Sequence, residues 1–143
     1  MDDMLEAGRA ILADQPFSRV MRAELLAWSK AETVLRVPLS EDTRQHVGMT
    51  HGGVICYAAD NALTYAGAAA LGSGVVTSEL KINYIRPSIG SALIARAVAV
   101  HGGRNQAVCR CDVFDLRGEE EVLCATALGT IAKQRPKAES KRT

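Results

Sequence analysis

Neither sign of charge prevails in this chain of 143 residues: 17 Lys and Arg stand against 16 Asp and Glu. Without a basic excess, nothing global draws the chain to nucleic acid or to an anionic membrane surface. The local basic cluster from Lys133 to Arg142 reads as a frayed, solvated end. The cysteines, Cys56, Cys109, Cys111 and Cys124, include no pair with the two-residue gap of a zinc knuckle or a thioredoxin-like motif. Cys109 and Cys111 would share one face of a strand, where a free Cys behaves as a small hydrophobe, and all four are assigned to core packing. No His, Cys or carboxylate cluster has metal-ligand spacing, so no catalytic metal is expected. A Gly-x-Ser-x-Gly segment is also missing, which argues against a serine nucleophile elbow. The start, Met1-Asp-Asp-Met-Leu-Glu, lacks the basic opening and apolar run of a secretory signal. Val54 to Leu71 is long enough to consider as a membrane span. Asp60 and Asn61 sit at its centre and Ala dominates the rest, so a buried helix of a soluble, cytoplasmic protein is expected instead.

What is present suffices for one core. Hydrophobic residues make up 48% of the chain, enough for a single domain at this length, and there is no internal repeat or linker. The domain is expected to span 1–135, followed by a basic, disordered tail over 136–143. Asp2 to Ala13 reads as a short amphipathic helix capped by Asp2 or Asp3, with Leu5, Ile11 and Leu12 inward and Pro16 as its end. Val20 to Trp28 and Glu32 to Leu39 read as two strands about a turn near Ser29-Lys30, with Pro38 marking a strand end or a sheet edge. A polar, irregular stretch from Ser40 to Met49 leads into a helix from about His51 to Leu71. That helix is apolar nearly all round and must be wrapped by other structure. Four strand-like runs follow: Val75 to Arg86, Ser91 to His101, Gln106 to Asp115 and Glu121 to Lys133. The short Gly- and Pro-bearing breaks between them predict an antiparallel meander. One long antiparallel sheet curled around one apolar helix satisfies this plan, and its edges and far face would need a partner subunit.

The stretch from Gln45 to Asp60 carries the chemistry. Gly52-Gly53 stands at the mouth of the apolar helix, where free backbone N–H groups suit negative charge or a polarised carbonyl. Asp60 lies in the body of that helix, where a carboxylate is costly to bury without a partner or a task. The glycines either admit a substrate close to the backbone or simply make a tight start to the helix. Asp60 either acts on substrate or is a buried carboxylate bonded to Thr64 one turn on, or to a neighbouring helix. His51 orients the loop, contacts the substrate, or serves as an ordinary cap.

Two motifs, Gly48-Met-Thr-His-Gly-Gly53 with Asp60 downstream and Thr77-Ser-Glu-Leu-Lys-Ile-Asn-Tyr-Ile-Arg-Pro87, give the chain its resemblance. Placed around one buried helix, they resemble the hotdog-fold acyl-CoA thioesterases of the phenylacetic-acid-degradation type, close to the 4-hydroxybenzoyl-CoA thioesterase group. The likeness runs from about residue 15 to 133. It implies an α+β hotdog fold, with a curved antiparallel sheet wrapped around one long helix. It also implies hydrolysis of an acyl- or aryl-CoA thioester. By position, Asp60 resembles the family's catalytic carboxylate, nucleophile or general base. Gly52 resembles the residue whose N–H polarises the thioester carbonyl. Gln45 falls where many members have Asn near the lytic water, and Thr77 where some place a hydroxyl that holds it.

If Gly52 and Asp60 both act, spacing has a consequence. Eight residues on one helix, at roughly 1.5 Å each, separate them by about 12 Å. One carbonyl cannot touch both, so a site would combine Gly52 of one subunit with Asp60 of another, as a two-fold dimer with antiparallel helices allows. The resemblance extends this to a homotetramer. Coenzyme A is then substrate, with no separate cofactor. Its phosphates need cations, for which Arg86 and Arg104 are candidates beside Gly53 as a substrate-binding residue. A hotdog hydratase or dehydratase would want a His beside the carboxylate, and this helix has none in its body. A non-catalytic acyl-CoA binder is the other reading. Aromatic residues are only 4% of the chain, and the acyl group is not legible in the sequence.

Overall fold

The computed structural model describes residues 2–136, and the expected tail lies outside them from residue 137 onward. The elements run α1 (Asp3–Ala13), α2 (Pro16–Met21), β1 (Glu24–Trp28), β2 (Thr33–Pro38), α3 (Gly52–Leu71), β3 (Val75–Tyr84), β4 (Ala92–Gly102), β5 (Gln106–Arg117) and β6 (Glu120–Lys133). The strands form one six-stranded antiparallel sheet in the order β1-β2-β4-β5-β6-β3. Helix α3 lies against that sheet and contacts every strand of it. This is the hotdog arrangement that the resemblance implied.

Alternation decides which side chains meet the helix. Along β5, Ala107, Cys109, Cys111, Val113 and Asp115 are buried, while the residues between them are not. The period of two puts this set on the face toward the helix. Helix α3 closes the core from the other side with Ile55, Ala58, Ala59, Ala62, Leu63, Tyr65 and Ala66. Its small residues let it lie close to the sheet. A Cβ at Gly67 would fall 2.5 Å from the Cβ of Ile131 on β6, so only glycine permits this approach.

The N-terminal region departs from the sequence reading. Pro16 does not merely end the first helix; it begins the second. At the first turn its missing N–H costs nothing, and Gln15 before it is extended, as a pre-proline residue prefers. Arg22, at φ 53°, turns the chain out of α2, so Val20 is helical and the strand begins at Glu24. Leu12 is buried and Leu5 packs against the core, but Ile11 is 47% exposed. Asp2 is the cap of α1 and accepts the Met4 N–H. Pro38 closes β2, which is interior, between β1 and β4.

The four C-terminal strands are not one meander. Strands β4, β5 and β6 are, but β3 pairs with β6 from Val75 opposite Lys133 to Tyr84 opposite Ala125. The chain then crosses from that edge to set β4 beside β2. The crossover works because Pro87–Gly90 is anchored rather than turned back. The buried Asp115 carboxylate on β5 accepts from the Ser88 hydroxyl (2.8 Å) and from the N–H groups of Ile89 (2.9 Å) and Gly90 (2.9 Å). Gly90 passes so close to the Leu116 carbonyl that any Cβ there would collide with it.

Candidate active site

The start of α3 is built by its own sequence. His51 is the N-cap, extended at φ −61° and ψ 134°, and its Nδ1 accepts the Gly53 N–H at 2.9 Å. The Val54 N–H donates to the His51 carbonyl at 2.9 Å. Among the described residues the Gly52 N–H has no acceptor. It points out of the positive end of the helix as a free donor. Gly53, expected to bind substrate, has its N–H committed to His51. The Tyr84 hydroxyl donates to the Gly52 carbonyl at 3.0 Å and pins this end of α3 to β3. Burial first, and then the neighbouring Cys56, pushes the Tyr84 phenol up in pKa, which keeps it a donor.

Beside the helix start lies an open cavity of about 370 Å³. Gln45, Gly52, Ile55, Tyr84 and Arg86 line it. The Gln45 Oε1 accepts the Val47 N–H at 3.1 Å, and its amide nitrogen has no protein acceptor among the described residues. The wall behind is held by buried polar contacts. Thr50 and Ser88 share a 2.8 Å hydroxyl contact, the Thr50 N–H donates to the Ser88 carbonyl at 2.9 Å, and Ser88 donates to Asp115. Burial raises the Asp115 carboxyl, but the Ile89 N–H, Arg117, Ser88 and the Gly90 N–H outweigh it and hold it below the ordinary carboxylate range.

Asp60 sits two turns further along α3, half-buried. Its Oδ1 accepts the Thr77 hydroxyl from β3 at 2.6 Å. Thr64 is 3.0 Å from the Thr77 oxygen and 2.8 Å from the Asp60 backbone carbonyl. Each hydroxyl has one hydrogen. Thr77 commits its own to the carboxylate, so the Thr64 hydrogen is shared between the Asp60 carbonyl and Thr77. The carboxylate's partner is therefore Thr77, while Thr64 braces the backbone. Gly52, Cys56, Asp60 and Thr64 follow one another at intervals of four and form a partly exposed stripe along one side of the helix. Cys56 is the one cysteine outside the closed core, whereas Cys109, Cys111 and Cys124 are fully buried. Its thiol is pushed up in pKa by burial and then by the charge of Asp60.

One chain does not unite these parts. Gly52 and Asp60 are eight residues apart on a continuous helix, about 12 Å along its axis. The two arginines are also separated. Arg86 lines the cavity at the N-terminal end of α3. Arg104 sits in the exposed β4–β5 turn, next to Gly102, which approaches Ala70 near the helix's C-terminal end. Tyr84 and Asp115 take roles that sequence reasoning did not give them, while Thr64, expected as a partner of Asp60, bonds its backbone carbonyl. Only Asp115 left a readable signal, as a carboxylate in phase with four buried positions of one strand.

Comparison with known proteins now has a geometry to meet. The sequence profile described as Thioesterase superfamily matches residues 47–122. The chain belongs to this superfamily. The matched span holds Gly52, Asp60, Thr77, Arg86 and Arg104. A Haemophilus influenzae protein whose name proposes an esterase is 31% identical over 76% of this chain and 78% of its own length. Among solved structures, thioesterase HI1161 from Haemophilus influenzae shares 26% identity at a TM-score of 0.81, covering 95% of this chain and 94% of its own. A mutant of the phenylacetic acid degradation protein PaaI from Thermus thermophilus shares 28% identity at a TM-score of 0.72, covering 84% of this chain and all of its own. This thioesterase-superfamily chain is accordingly an enzyme, a thioester hydrolase. Among its described residues, no three His, Cys, Asp or Glu side chains gather as a metal-holding group, and no helix is long and apolar enough to cross a membrane.

Proposed function

We propose that this thioesterase acts on an acyl- or aryl-CoA thioester, releasing the free acid and CoA, with Asp60 as nucleophile or general base. The observation that carries this reading is the Asp60 carboxylate, aimed by Thr77 and half-exposed, on the same helix whose Gly52 N–H is free. A thioester has a good leaving group, so its hydrolysis needs a positioned nucleophile and a donor for the oxyanion more than it needs an acid. The carbonyl oxygen accepts the Gly52 N–H. Either Asp60 attacks the carbonyl carbon, expelling CoA thiolate and leaving a mixed anhydride for water to open, or it takes a proton from the attacking water. Gln45, beside Gly52 in the cavity, orients that water or the thioester. His51 holds the loop by capping the helix. Arg86 and Arg104 meet the nucleotide phosphates. No further cofactor is required.

The reading requires more than one chain. Strand β3 is a sheet edge, and Val76 (43%) and Tyr84 (54%) on it are exposed apolar groups that a second copy would cover. Two-fold pairing across this edge and the partly exposed stripe of α3 would set Gly52 of one subunit beside Asp60 of the next, in a dimer or a dimer of dimers. The absence of His from the body of α3 counts against a hydratase. The test is a panel of acyl-CoAs with free-thiol detection, for the wild type and Asp60→Asn. Thiol release should be seen with the wild type and should fall at least about a hundredfold in kcat in the variant, with binding kept. A near-normal kcat in Asp60→Asn would remove Asp60 from the reaction. Hydration of crotonyl-CoA without thiol release would replace the hydrolase reading.

A further inference from the structure

A cavity of about 460 Å³ opens between α1, α2 and β1, beside the sheet edge away from β3. It shares no lining residue with the cavity at Gly52. Its floor is apolar. Leu12 of α1 and Leu25 of β1 are buried there, and Leu26 next to them is 44% exposed. Its rim is cationic, with Arg9 from α1, Arg19 from α2 and Arg22 from the turn after α2. The volume lies in the range that small ligands fill, roughly 300–1,000 Å³.

The charge at this rim is not balanced within the fold. Glu24 also lines the cavity, but it is paired at 3.2 Å with Arg36 on the neighbouring strand. Arg9 is committed: it pairs with Glu6 at 2.9 Å and donates its Nε–H to the Leu25 carbonyl at 3.0 Å. Arg19 spends one N–H on the Ala13 carbonyl at 2.8 Å and has no acid partner among the described residues. Arg22 has none either. The helix ends do not neutralise them. The last carbonyls of α1 accept from Asp14, Gln15 and Arg19, and those of Ser18 and Arg19 in α2 accept from Ala23 and Arg22. Two guanidinium groups therefore stand over an apolar floor without a counter-charge.

Arg22 adds a separate observation. It holds φ 53° and ψ 36°, the left-handed conformation with which helices commonly close on glycine. A side chain is disfavoured there. Glycine would make the same turn more easily, so the turn does not account for the guanidinium.

We propose that this cavity binds a small amphipathic anion, a carboxylate on a compact apolar body, as a second ligand distinct from the thioester. Arg19 and Arg22 hold the carboxylate through charge-assisted N–H donors, and the body lies on Leu12, Leu25 and Leu26. Burial of that body favours such a ligand over a bare inorganic anion.

The test is a titration followed by backbone amide NMR, with hexanoate, its uncharged amide hexanamide, and inorganic phosphate as probes. Hexanoate should shift amides around Leu12 and from Arg19 to Leu26, and should bind at least about tenfold more tightly than either of the other two. Arg22→Gly removes one guanidinium and gives the turn the residue that suits it. Its Tm should hold or rise, while hexanoate binding weakens about tenfold. Arg19→Gln should weaken binding similarly, and both variants should keep kcat for thioester hydrolysis within about twofold of the wild type. Hexanamide or phosphate binding as tightly as hexanoate would overturn the proposal. So would hexanoate shifts confined to the Gly52 end of α3, unchanged affinity in both variants, or no binding of hexanoate.

Discussion

At the scale of the residue, one hydroxyl decides how Asp60 is aimed. Thr77 spends its single hydrogen on the carboxylate at 2.6 Å, which fixes one oxygen and leaves the other for chemistry. Thr77→Val keeps the shape and removes the donor. It should lower kcat about tenfold, ~1.4 kcal/mol of barrier, with KM little changed. Thr77→Ser should stay within about twofold of the wild type. Equal kinetics for Val and Ser in steady-state assays would show that the hydroxyl only packs. Asp115 makes a different residue-level prediction, on stability. Its folded pKa is depressed, so its contribution is complete above the unfolded pKa and is lost as pH falls through the folded one. Asp115→Asn should cost at least about 2 kcal/mol near neutrality, because four donors lose their charged acceptor. The gap between variant and wild type should close in strong acid, when denaturant melts are compared across pH.

At the scale of the element, α3 is held by closeness. Gly67 lets the helix lie against β6, where a Cβ would stand 2.5 Å from Ile131. Gly67→Ala raises intrinsic helix propensity yet should destabilise the fold by about 1–3 kcal/mol, because the helix must lift off the sheet. A chemical melt that showed stabilisation would mean that the sheet yields instead. The same lift would carry Asp60 away from Thr77, so activity should fall along with stability. The crossover between β3 and β4 works similarly. Asp115 anchors Ser88, Ser88 holds Thr50, and Thr50 precedes the capping His51, so a buried polar chain on the sheet sets where the helix begins.

At the scale of the whole molecule, the prediction is complementation. Gly52 is the first residue of α3 and His51 before it is extended, a setting that proline accepts. Gly52→Pro therefore removes the free N–H with little disturbance and should abolish most turnover, as should Asp60→Asn. If each site joins Gly52 of one subunit to Asp60 of the other, a mixed dimer of the two variants contains one intact site. Co-refolding equal amounts should restore about a quarter of wild-type activity, from half of the dimers with one site of two intact. No gain over the separate variants would overturn the shared site.

The sequence by itself determined the composition of the fold. The apolar run from Val54 to Leu71 demanded a surrounding sheet, and short Gly- and Pro-bearing breaks marked off the later strands, because an enclosed helix is apolar all round and turns take the residues that suit them. Through its resemblance to a known family it also marked Gly52, Asp60, Thr77 and Gln45 as candidates. Tertiary structure alone decided what depends on distant contacts. Val20 joined a helix because Pro16 could start one as readily as stop one. Strand β3 went to the far edge because a buried Asp115, 26 residues beyond Ile89, anchored the crossover. Asp60 took Thr77 rather than Thr64 as its partner because β3 arrived beside α3. Local pattern fixes which face of an element is apolar. The hydrogen-bond partners that arrive at the other face come from elsewhere in the chain, and only the packed molecule selects them.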